Sequence, residues 1–301
     1  METSPVPEAL QHRNINNIVL VPVHAELHNL PRLLGSAERQ NTPVHFRFLV
    51  NDLGKNDDRA IAENKLTVEV FQCVQARDKI ALQAIAGKVT DETTRQSILD
   101  MQKIVDNPNI SIEFFEQHSL PRVHYGRLRA SLLRDVLANI PQGKAKEYAI
   151  YMMDADAKFP LGYFAKMQKE YSNPSVQTVF TGYDLYPGSI QSDDITQQTK
   201  KNRLENFDED RRGYAGAHVR ELLTTTGNQN DFIAETPQIS FTADAISDEM
   251  LQILEEKQRD EDYSLTKYLS ANTITRHRLL DNRRWYVKRL IFGEILVERL
   301  I

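Results

Sequence analysis

Cysteine is all but missing: Cys73 is the single thiol in 301 residues, which excludes an internal disulfide and any cysteine-based zinc site. No stretch approaches the roughly 20 consecutive apolar residues that a membrane-spanning helix needs. The first 17 residues are polar and lack the apolar centre of a signal peptide, so a cytoplasmic protein is the expectation. Positive charge is not in excess. Lys and Arg total 37 against 42 Asp and Glu, for a net charge of −5 and a pI near 5.9, and no nucleic-acid partner held by bulk electrostatics is expected. The glycine-rich phosphate cradles are absent as well, both Gly-x-Gly-x-x-Gly and Gly-x-x-x-x-Gly-Lys-Ser/Thr. Phosphates, if this chain handles them, fall to a metal ion and to basic side chains.

What is present is an ordinary globular composition, 41% hydrophobic, long enough for one large α/β domain or two small ones. Strand and helix signals alternate through the first half, which implies a mostly parallel sheet flanked by helices. Ile18–Val23 forms a buried first strand ending at His24-Ala25-Glu26, and Pro31 suits the first turn of a helix through Leu33, Leu34 and Ala37. His45–Val50 is the second strand, running into the polar turn Asn51–Asp58. Residues 76–106 are expected to be helical, Ile110–Phe115 a short strand, and the segment after Gly126 an amphipathic helix with Leu132, Leu133, Val136, Leu137 and Ile140 on one side. Residues 188–231 are polar and poor in large apolar groups, the profile of a lid or of a plain surface loop. Ser247 is a candidate N-cap for a helix burying Met250, Leu251 and Leu254. The segment 281–301 is expected to be a C-terminal amphipathic helix, packed on the domain or serving oligomerisation or membrane-surface contact.

The most informative local feature is Asp154-Ala155-Asp156, directly after the apolar run Ala149–Met153. Two carboxylates one residue apart at the end of a buried strand are costly to leave unpaired, and a hard divalent cation, Mg²⁺ or Mn²⁺, is the usual partner. Such an ion keeps positions open for phosphate oxygens. In an open parallel sheet ligands bind beyond the carboxyl ends of the strands. Three strand ends here carry polar groups: His24/Glu26, Asn51/Asp52 and Asp154/Asp156. Arg127 and Arg129 open the helix before the Asp pair and are candidates for holding phosphates. Further on, Asp260-Glu261-Asp262 begins another helix. A carboxylate there serves the helix dipole or acts as a general base towards an acceptor hydroxyl. His277 is a candidate third metal ligand.

Taken in order, these segments resemble the GT-A glycosyltransferases, family 2 in particular, from about Asn17 to about 280. Val21-Pro22-Val23-His24-Ala25-Glu26-Leu27-His28-Asn29-Leu30-Pro31-Arg32-Leu33-Leu34 is similar to that family's "VPVYNEEENLPRLL" opening. Val50-Asn51-Asp52-Leu53-Gly54-Lys55-Asn56-Asp57 resembles its "VDDGSxD" turn, Arg129 the arginine of "ARN", Met153-Asp154-Ala155-Asp156 the "LDAD" site, and Glu261-Asp262-Tyr263-Ser264-Leu265 the "EDxxL" helix start. There are departures. Ala130 stands where that family has Asn, the Gly-Gly of its acceptor loop is missing before Ser240–Asp244, and the stretch 76–106 fits an inserted helical hairpin.

The resemblance implies a GT-A fold and transfer of a sugar from a nucleotide-diphosphate donor, a UDP- or GDP-sugar, to a hydroxyl acceptor not identified by any motif. It implies that Pro22, His24, Glu26, Asp52, Arg129, Asp154 and Ala155 surround the donor and that Asp154, Asp156 and His277 hold Mn²⁺ or Mg²⁺. Asp262 would be the base of an inverting transfer. The alternatives are a retaining transferase of the mannosylglycerate-synthase type and a GT-A-like domain that binds nucleotide or carbohydrate without turnover. A haloacid-dehalogenase-like phosphatase also places Asp-x-Asp after a strand, but expects Thr or Val where Ala157-Lys158-Phe159 follows.

Overall fold

The computed structural model describes residues 15–52, 58–118, 124–181, 183–186, 239–256, 261–273, 275–278 and 287–290; at 183–186, 261–263, 275–278 and 287–290 only the backbone is described. The first strand, β1 (Asn16–Val23), is buried from its second residue onward. It takes parallel neighbours on both sides, β2 (Val44–Asn51) and β4 (Tyr148–Met152). That central position explains the unbroken run Ile18-Val19-Leu20-Val21: helices cover both faces of the sheet, so neither side of the strand needs a polar alternation. β3 (Ile110–Gln117) lies parallel to β2 at the edge.

Beyond β4 the direction changes. β8 (Ile239–Thr242) is antiparallel to β4 and to β6 (Thr178–Thr181), and β9 (Thr275–Arg278) is parallel to β6. The seven-stranded order is β3-β2-β1-β4-β8-β6-β9, an α/β architecture with a mostly parallel sheet, as expected. Among the described residues β8 is the one antiparallel strand in it, built around Ser240-Phe241-Thr242, to which the sequence analysis assigns no element. A second sheet of three strands sets β10 (Val287–Leu290) between β5 (Ala157–Lys158) and β7 (Tyr183–Tyr186).

One face of the main sheet packs Val19, Val21, Phe46, Phe48 and Tyr151 against α1 (Leu30–Glu38), α2 (Asp58–Gln75), α3 (Lys79–Ala86), α4 (Glu92–Val105) and α6 (Tyr163–Tyr171). The other packs Leu20, Leu49, Ile150, Met152 and Phe241 against α5 (Tyr125–Asn139), α7 (Asp248–Glu256) and α8 (Glu261–Asn272). α1 carries Pro31 in its first turn, and Ser247 Oγ accepts from Met250 N–H at 3.1 Å to start α7.

One expectation is corrected, and one helix has no counterpart in the sequence analysis. Residues 76–106, expected as an inserted helical hairpin, hold α3 and α4: Gly87 ends α3, and Asp91 opens α4 by accepting from Thr94 N–H at 2.7 Å. α2 precedes them, with no counterpart in the sequence reading. Within 281–301, expected as a C-terminal amphipathic helix, Val287–Leu290 form a strand instead, held by ladders with β5 and β7. The remainder of 281–301 and the lid expected at 188–231 lie outside the described residues. No helix among the described residues is long and apolar enough to cross a membrane.

Candidate functional site

Chain order reverses at β1: β2 and β3 build outward on one side, and the chain then returns to lay β4 on the other. Such a switch point opens a crevice beyond the carboxyl ends of the two strands. Pro22 helps to open it. Leu20 turns its carbonyl to β4, accepting from Met153 N–H at 2.9 Å, so Pro22, two residues on, turns its missing N–H the same way, where β4 has ended. Pro22 is buried in the strand, paired with Leu49 of β2.

Past β4, Asp154 and Asp156 alternate with the buried Ala155, and Asp154 O accepts from Ala157 N–H at 3.1 Å to close the turn. From the opposite face of the sheet α5 delivers Arg129, whose Nη2 donates to Asp154 Oδ1 at 3.1 Å; their side chains are only 6% and 16% exposed. The Arg129 guanidinium also lies 5.8 Å from the centre of the Tyr125 ring, and that ring is half-exposed. Arg127 is turned away: its Nε donates to Glu255 O at 3.2 Å, at the surface between α5 and α7.

From the β1 side, Glu26 faces this pair. Burial holds its carboxyl above the ordinary glutamate range, and the nearby Asp154 and Glu63 carboxylates push the same way, against Asn29 and His28. The buried Asn29 amide donates to Glu26 Oε2 and accepts from Arg32 Nη2 at 2.8 Å. Arg32 is itself partly desolvated, which lowers its guanidinium, while the charges of Asp156 and Glu26 oppose that shift. The two aspartates of the motif thus each have an arginine nearby, Arg129 by direct ion pair and Arg32 by proximity.

β2 contributes Asn51 and Asp52, both buried. His24 Nδ1 lies 2.9 Å from Asn51 O, and Asp52 Oδ2 lies 2.5 Å from His118 Nδ1 just past β3. His118 Nε2 reaches Glu116 Oε2 at 2.9 Å. The bond to Asp52 is the main cause that raises the imidazole above its usual value, with Glu116 adding to it. Among the described residues, several buried polar atoms have no hydrogen-bond partner: Asn51 Oδ1 and Gln117 Oε1 at the ends of β2 and β3, Arg32 Nε in α1, and His124 Nε2 at the head of α5. Such atoms are expensive in a finished core, and a polar ligand is one way of satisfying them.

Of the expected donor-site residues, Pro22, His24, Glu26, Asp52, Arg129, Asp154 and Ala155 meet around the β1/β2/β4 ends. Asp262 lies in the first turn of α8 and His277 in β9, at the register of Phe180, but their side chains lie outside the described residues. His277 stands three strands from β4, about 14 Å at ~4.8 Å per strand. Among the described residues, no three His, Cys, Asp or Glu side chains form a group able to hold a metal. The chemistry of the donor set suits Mg²⁺ or Mn²⁺ bound through one or two carboxylates and completed by substrate phosphates, rather than a closed protein cage. The sequence reading passed over Asn29, Arg32, Asn64 and His118. The i, i+3 spacing of Glu26, Asn29 and Arg32 into α1 was a readable signal, whereas nothing local marks His118 or Asn64.

No protein-family model matches the chain, and no curated protein matches it significantly. Among solved structures, the crystal structure of S. aureus TarS 1-349 aligns over 92% of this chain and 60% of that one, at 12% identity and a TM-score of 0.47. The same TarS fragment in complex with UDP-GlcNAc aligns at 12% identity, and in complex with UDP at 14%, both with a TM-score of 0.47. The chain spans about three fifths of the TarS 1-349 chains it matches, and a likeness at this level says nothing about substrate.

Proposed function

We propose that this chain is a metal-dependent glycosyltransferase that moves a sugar from a nucleoside-diphosphate donor, a UDP- or GDP-sugar, to an acceptor hydroxyl. The observation that carries the reading is the Arg129–Asp154 ion pair at the β1/β4 switch point, beside Glu26 and one residue from Asp156. The ordered resemblance of five segments to the GT-A glycosyltransferases supports it independently.

On this reading His24, Glu26 and Asp52 line the pocket for base and ribose, with Pro22 and Ala155 as its apolar wall. Arg129 fixes Asp154 and adds positive charge towards the diphosphate. Asp156 would hold Mg²⁺ or Mn²⁺; the ion, when bound, supplies charge neutralisation on the departing nucleoside diphosphate. Asp262 accepts the acceptor's proton as its oxygen bonds to the anomeric carbon. The bond from that carbon to the diphosphate breaks on the opposite side, its electron pair leaving with the nucleotide, so the configuration inverts.

The test is a thermal-shift panel of nucleoside diphosphates and their sugars, with Mn²⁺ and with EDTA, on the wild type and Asp156→Ala. Ligand at ~100 times Kd stabilises by about 2.7 kcal/mol. One base should give a clear rise in Tm with Mn²⁺ that EDTA and Asp156→Ala both abolish. Stabilisation indifferent to both treatments would remove the metal, and no stabilisation by any nucleotide would remove the donor reading.

A further inference from the structure

We infer that Asn64 of α2 is a positioning residue, which sets the exits of β1 and β2 against each other and thereby aligns His24, Glu26 and Asp52. Its functional consequence rests on the nucleotide-sugar reading; its structural consequence does not.

Asn64 is 2% exposed, on the inner face of α2. Its Oδ1 accepts from Ala25 N–H at 2.9 Å, and its Nδ2 donates to Asn51 O at 2.6 Å. The first partner can only donate and the second can only accept, so the amide has a single workable orientation. One planar group therefore joins the residue after His24 to the residue before Asp52.

The joint holds the backbone in a conformation it would otherwise leave. Ala25 has φ of 54°, in the left-handed region, which disfavours any residue with a Cβ and persists only where the surroundings impose it. The next residue of α2 towards its N-terminus repeats the device: Glu63 Oε1 accepts from Leu27 N–H at 3.0 Å. Adjacent α2 side chains thus take the amides on either side of Glu26, and the turn presents that carboxyl towards Asn29 and Asp154. The carbonyl that Asn64 holds, Asn51 O, is also the one His24 Nδ1 meets at 2.9 Å. Burial alone would ask only that this amide find partners. It does not require those partners to be a strained backbone amide and the end of the neighbouring strand.

Neither close relative of asparagine does both tasks. Aspartate keeps the acceptor for Ala25 but sets a carboxylate oxygen against Asn51 O; glutamine is a methylene too long for a packed site. The test compares the wild type, Asn64→Ala, Asn64→Asp, and Asn64→Ala combined with Ala25→Gly. Two readouts are taken: amide hydrogen exchange without ligand, and calorimetric affinity for UDP and GDP with Mn²⁺.

In Asn64→Ala, the amides of Ala25 and Leu27 should exchange at least tenfold faster while those of β1 keep their protection, and Kd for the preferred nucleotide should rise tenfold or more. Adding Ala25→Gly should recover at least threefold of that affinity, because glycine takes a positive φ freely. Asn64→Asp, the reserve if Asn64→Ala does not fold, should keep Ala25 protected and still lose affinity. A purely core role is indicated, and the inference overturned, by uniform loss of protection across β1 and β2, by unchanged exchange at Ala25, or by no recovery from Ala25→Gly. A wild type that binds neither nucleotide would count against the donor reading alone, and the exchange results would still decide on the joint.

Discussion

Replacing Arg129 by methionine keeps much of the side-chain volume and removes the charge against which Asp154 rests. The pair is formed at 3.1 Å with 6% and 16% of the two side chains exposed, so water screens it poorly. An exposed pair would be worth about 0–1 kcal/mol, whereas breaking a buried pair from one side costs roughly 3–5 kcal/mol, because the remaining charge is stranded. The residual exposure of Asp154 puts the expected loss at the lower end, about 3 kcal/mol. Glu26 works against relief, since its carboxyl already feels Asp154. Urea unfolding of the wild type, Arg129→Met, Asp154→Asn and the double variant measures this directly. The double variant should lose less than the two singles summed, by about 0.5–3 kcal/mol, the range expected for directly coupled residues. A single-variant loss under about 1 kcal/mol, or additivity within about 0.5 kcal/mol, would refute the claim that Arg129 holds Asp154 in a desolvated pair.

Two further outcomes are expected, beside those for Asp156 and Asn64. His118 has its pKa raised chiefly by Asp52, so its contribution to stability is complete below its ordinary value of about 6.5 and is lost as pH rises through the raised folded value. The Tm advantage of the wild type over His118→Gln should therefore shrink as pH rises above about 6.5, and an advantage independent of pH would count against the pair. Asp262→Asn should leave Tm and donor affinity near the wild type and cut transfer by about 10²-fold or more, with Glu261→Gln as the control; if Asp262 serves only the dipole of α8, the cost is instead about 0.3–1 kcal/mol of stability with transfer intact.

The sequence by itself determined the strands that need no context. Ile18–Val23 and Ala149–Met153 are apolar throughout because both faces of the sheet are covered, and that alone specifies buried parallel strands. It also determined the local chemistry: Pro31 in the first turn of α1, Ser247 at the head of α7, and a carboxylate pair at a strand end. It did not reveal α2, whose inner face mixes Asn64 and Thr67 with Val68, Val70 and Phe71, so that polar residues break the apolar period a reader counts. One of those interruptions, Asn64, is the residue that ties two strand exits together. Tertiary structure alone decided the rest. The antiparallel insertion of β8, the strand at Val287–Leu290, and the meeting of Arg129 with Asp154 across 25 residues all depend on pairings between distant segments. Local propensity records what a segment tolerates; which neighbour it finds is set by closing the sheet and burying both of its faces at once.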